Sequence, residues 1–210
     1  MVTLNYMVMK ERHIRMVILG AVTVLIVGGS FYALKNGATR AMPVSVPQDF
    51  IVARQSAATI SQSIVNLTDA TRQKIDVAHT AQLAKDAARM EQMISEARSS
   101  NGEAYRSAVM LADLLKALAG SLTEVKSMDS QRIAYQAIAV ELSLVSRFIV
   151  YTQDLNSFLD ALARSTEGNA AGYKAEVDAA LKKTNEGAKQ INELNEEFLT
   201  RMEKFDRSLQ

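Results

Sequence analysis

Residues 130–164 read SQRIAYQAIAVELSLVSRFIVYTQDLNSFLDALAR, and whether this run crosses a membrane or forms the core of a bundle decides the fold. Stepped by 100° per residue, Arg132, Gln136, Ser143, Arg147, Asp154, Ser157 and Arg164 fall on one edge. Ile133, Ala137, Ile138, Val140, Leu144, Val145, Phe148, Ile149, Leu155, Leu159 and Leu162 fill the opposite arc. So wide an apolar arc needs neighbours on several sides. Glu141 and Arg147 would each cost about 2.5–3.5 kcal/mol near a bilayer centre, so the run is expected to be a core helix.

The flanking segments supply its neighbours. Upstream, Ala104, Ala108, Leu111, Leu115, Leu118, Leu122 and Val125 form one helical stripe, and Ser127 to Ser130 offer a turn. Downstream, Ser165-Thr166-Glu167-Gly168-Asn169 ends the run. A strict heptad then places Val177, Leu181, Thr184, Ala188, Ile191, Asn195, Phe198, Met202, Phe205 and Leu209 on a seam, with Asn195 at an a position. Further upstream, residues 48–98 contain neither Gly nor Pro. Phe50, Ala53, Ala57, Ile60, Ile64, Leu67 and Thr71 recur at steps of three and four, and the stripe resumes at Leu83, Ala87, Met90, Ile94 and Ala97. One helix of about 50 residues is expected here, closed by a turn at Ser99-Ser100-Asn101-Gly102.

The N-terminal part has a different character. MVILGAVTVLIVGGSFYAL (16–34) carries no charge, and its 19 residues, at about 1.5 Å each, reach roughly 28 Å. It is expected to be a transmembrane signal anchor, after a short cytoplasmic tail at 1–15 and before a linker at 35–47 that holds both prolines, Pro43 and Pro47. Met9-Lys10 begins a shorter version of the same basic-then-apolar layout, an alternative start. Lys10, Arg12 and Arg15 precede the span and only Lys35 and Arg40 follow closely, which favours an N-terminus inside and residues 48–210 outside the cytoplasmic membrane. The expected fold class is therefore all-α: an N-terminal transmembrane helix followed by an elongated antiparallel four-helix bundle with coiled-coil-like packing.

Composition limits the chemistry. The 210 residues include no Cys, which removes disulfides, thiolate catalysis and Cys-ligated metal. The net charge of +1 is split, because residues 1–40 hold five basic side chains against Glu11, leaving the remainder at −3. An acidic main region argues against nucleic acid as a partner. His13 and His79 are the only histidines, and Asp76-Val77-Ala78-His79 alone cannot supply the ligand set of a di-iron bundle, so neither metal nor cofactor is expected. Met90 and Met93 read as core packing. Asn66-Leu67-Thr68 matches the N-glycosylation pattern, which matters only in a glycosylating secretory pathway. No phosphate-binding loop or nucleophile motif is present, and enzyme activity is not expected.

Two polar residues stand out. Glu141 lies at the centre of the apolar arc and is expected to be buried with a polar or cationic partner on another helix, so that Glu141→Gln and Glu141→Ala both destabilise. Asn195 is expected as a tolerated polar break that fixes register. The expected role is a noncatalytic interaction, spacer or assembly module at the lipid bilayer of the cell envelope, with a protein partner or a second copy of itself. A sensor-like or solute-binding bundle that signals through a partner is the alternative.

Overall fold

The computed structural model describes residues 47–165 and 170–209, and among them every regular element is helical. The helices are α1 (Gln48–Leu83), α2 (Ala87–Ser121), α3 (Met128–Arg164) and α4 (Ala170–Ser208), with a 3-10 turn at Leu122–Glu124. Each has 35 to 39 residues, which corresponds to roughly 52–58 Å. Pairs between neighbours run in opposite directions: Lys74 meets Ser100, Arg98 meets Asp160, and Lys183 and Arg201 meet Asp154 and Gln136. The chain thus folds up, down, up and down.

The expected arrangement of a membrane helix at the N-terminus is corrected by this structure. Among the described residues one helix is long and apolar enough to cross a membrane, and it is the internal α3; residues 16–34 lie outside the described residues. The localisation built on the N-terminal span, single-pass with the bundle outside the cell membrane, therefore falls with it. A helix that touches two neighbours carries an apolar arc wide enough to satisfy the length and composition of a span. Here α3 packs against both α2 and α4, and it buries Glu141 and Asp154 along its length.

The first helical region also differs from expectation. Instead of one helix to residue 98 the chain turns at Ala84–Asp86, where Lys85 adopts a left-handed φ of 59°. The Asp86 amide donates to the Ala81 carbonyl and the Lys85 amide to that of Gln82, the paired bonds of a Schellman ending. Asp86 then caps α2 by accepting from the Arg89 amide at 3.0 Å. Ser99-Ser100-Asn101-Gly102, expected as the turn, lies inside α2 with Ser100 and Asn101 buried. Tertiary partners decide this, because Lys74 of α1 donates to Ser100 at 2.6 Å and Asn101 reaches α3.

The second turn ends at Ser127, the first residue of the expected Ser127–Ser130, whose last three residues are already helical. Leu122–Glu124 tightens the end of α2, Val125 is extended, and Ser127 caps α3 by accepting from the Ser130 amide at 3.3 Å. Gln131 closes the corner by donating to the Val125 carbonyl at 2.6 Å. Pro47, the last linker residue, is the N-cap of α1. Every member of the heptad seam on α4 is buried or half-buried, and the stripe from Ala104 to Val125 is buried throughout.

The polar edge of α3 does not face solvent alone. Asp154 is 4% exposed and accepts from Lys183 at 2.7 Å, while Arg164 and Gln136 meet Glu176 and Arg201. At Gly187 of α4 a β-carbon would lie 3.3 Å from the Arg147 guanidinium and 3.5 Å from the Tyr151 ring, so the helices approach closely there. Burial pushes the Tyr151 hydroxyl well above its ordinary range, which keeps it neutral.

Candidate functional site

Glu141 sits where all four helices meet. The space beside it is lined by Phe50, Arg54 and Ala57 of α1, Leu118 of α2, Ala134 and Ile138 of α3, and Phe198, Met202 and Phe205 of α4. Alanines at 57 and 134 leave the gap that larger side chains would fill. It offers about 20 Å³ to the centre of a water-sized group, close to the minimum for one water. Glu141 is 5% exposed, and its Oε1 has no hydrogen-bond partner among the described residues.

The electrostatics follow from that geometry. Burial raises the Glu141 carboxyl from its ordinary 4.5 to about 7, and the positive charge of Arg54 opposes the rise without cancelling it. Arg54 is a cation in the wall beside Glu141, but its guanidinium is turned to Asp206 of α4. Two bonds join them, Nη1 to Oδ1 at 2.8 Å and Nη2 to Oδ2 at 3.0 Å. Such a bidentate pair is planar and directional. Beneath it the Phe50 and Phe205 rings pack with centroids 5.7 Å apart. These side chains span the α1–α4 seam, where the two backbones seldom approach each other closely.

Asn195 is also buried, at 4% exposure, on the seam of α4, but it does not line the Glu141 space. The two polar residues singled out in the sequence therefore occupy separate places. A third, Asn101, is 2% exposed and holds α2 to α3: its Nδ2 donates to the Thr152 carbonyl at 2.8 Å and to Asn156 Oδ1 at 2.9 Å. The turn-like composition around Asn101 concealed it. Arg54 and Asp206 were hidden by a separation of 152 residues, although both fall close to seam positions.

Other candidates resolve into packing or surface. Met90 and Met93 are core residues at 1% and 5% exposure. His79 is half-buried on α1, and among the described residues no group of three or more His, Asp or Glu side chains comes together as metal ligands. Asn66 is exposed inside α1, accepting from Gln62. What the Glu141 site can do chemically is hold or release one proton in apolar surroundings beside the Arg54 cation. In comparisons with protein-family models, curated proteins and solved structures, nothing matches the chain.

Proposed function

We propose that the chain works without catalysis, as a helical module for interaction or assembly. The observation that carries this reading is a set of large apolar side chains left on the outside of a bundle that has a well-filled core. Tyr105 and Val109 lie one turn apart on α2 and are 39% and 38% exposed; Met110 beside them is 59% exposed. Single exposed apolar residues are ordinary, but three within six positions of one helix form a ridge suited to contact. The charged exterior of α4 is tied up in pairs one turn apart, such as Lys174 with Asp178 and Arg201 with Glu197.

A photo-crosslinking residue at Met110 of the full chain should give one discrete adduct, either with a second copy or with a single partner. The same residue at exposed Lys204 should give none. Equal labelling at both positions, or no adduct at Met110, would remove the ridge as a contact surface. A solute-binding role gains less support, because the Glu141 space is the size of one water and has too few polar partners to hold a larger polar ligand.

A further inference from the structure

The chemistry of the space beside Glu141 does not suit a bound ligand. An ammonium carries three donors and a buried water needs two to four polar partners. Glu141 Oε1 offers one acceptor among walls of Phe50, Ile138, Phe198, Met202 and Phe205, so either guest would lose more hydrogen bonds than it made. The group best able to answer a charge on Glu141 is already in the wall.

That group is Arg54. Of the residues lining the space, α2 contributes Leu118, α4 contributes Phe198, Met202 and Phe205, and α3 adds Ala134 and Ile138; none of these can titrate or carry charge. Arg54 is the one cation in the lining among the described residues, and Asp206 reaches the site through it. The Arg54–Asp206 pair lies toward solvent, with side chains 15% and 34% exposed, whereas Glu141 is sealed beneath. One guanidinium therefore stands between two carboxylates of unequal burial. An anion is answered more strongly in the buried position, where water screens it least.

We propose that Glu141, Arg54 and Asp206 form a proton-controlled clasp between α1 and α4. With Glu141 neutral, Arg54 bonds Asp206 and fastens the last turns of α4 to the first turns of α1. When Glu141 loses its proton, Arg54 turns inward to the new anion, Asp206 is released to solvent, and the end of α4 loosens. The proton goes to solvent and no covalent bond changes. Because the backbones of α1 and α4 seldom approach closely, the Phe50–Phe205 contact is what remains across this seam once the clasp opens, while Ser208 stays bonded to Ser130 of α3.

Amide hydrogen exchange on the full chain, corrected for the intrinsic effect of pH, tests the clasp. Between pH 5.5 and 8.5 the amides of residues 198–208 should lose protection by about tenfold, equal to about 1.4 kcal/mol and near the strength of a hydrogen bond to a charged group. Residues 104–118 of α2 should not change. Glu141→Gln should keep the high protection at both pH values, and Asp206→Asn should show the low protection at both. Glu141→Gln also separates the clasp from His79, which that variant leaves in place. Equal protection of wild-type residues 198–208 at the two pH values would overturn the proposal, as would a pH response that survives in Glu141→Gln.

Discussion

The α2–α3 contact at Asn101 and the α1–α4 contact at Glu141 each bury a polar side chain between helices, with opposite outcomes. Asn101 places its amide donors on a backbone carbonyl and a side-chain oxygen of α3. Glu141 leaves one oxygen without a partner and has its neighbouring cation bonded elsewhere. A satisfied neutral amide fixes two helices whatever the pH, whereas an unsatisfied carboxyl makes its contact depend on a proton. The difference lies in the partners, since the two side chains are buried to nearly the same degree.

The largest expected effect comes from breaking the satisfied side. Asn101→Ala removes two hydrogen bonds and leaves a small void, and should cost about 3 kcal/mol in chemical denaturation. That loss should be the same at pH 5 and pH 8. A cost below about 0.5 kcal/mol, the range of ordinary surface changes, would show that the amide is not fastening α2 to α3.

An effect of similar size, but dependent on pH, is expected on the other side. The Glu141 carboxyl titrates near 4.5 when exposed and is raised to about 7 in the fold, so the folded state binds the proton more tightly. Its contribution is fully present below pH 4.5 and is lost as pH rises through 7, after which the curve is flat. Glu141→Gln keeps the shape without the charge and should stabilise the chain by about 3 kcal/mol at pH 8, with the gain shrinking toward zero near pH 4.5. This reverses the destabilisation expected when Glu141 was assigned a firm partner. A Gln variant less stable than wild type at pH 8 would restore that assignment.

Regular periodicity was readable wherever packing repeats along a helix. The heptad from Val177 to Leu209 and the stripe from Ala104 to Val125 match burial position by position, and Glu141 followed from the angular arrangement of its apolar neighbours. What could not be read depends on contacts between distant segments. Lys85 ends α1 in a conformation usually taken by glycine, so neither its identity nor a proline announced the turn. Ser99 to Gly102 have turn composition but are held in α2 by Lys74 and α3. The pairing of Arg54 with Asp206, which leaves Glu141 without its cation, is likewise a product of the fold. The apolar length of α3 arises from packing against two helices, and by composition alone it resembles a span.

Glu141 is buried without a firm partner, and carbon-13 NMR of its side-chain carboxyl reads that state directly. A titration of the folded chain should show one transition near pH 7 at Glu141, absent in Glu141→Gln. A transition at or below 4.5 would mean that the carboxylate is paired or solvated, and would contradict the contrast with Asn101 and the clasp built on it.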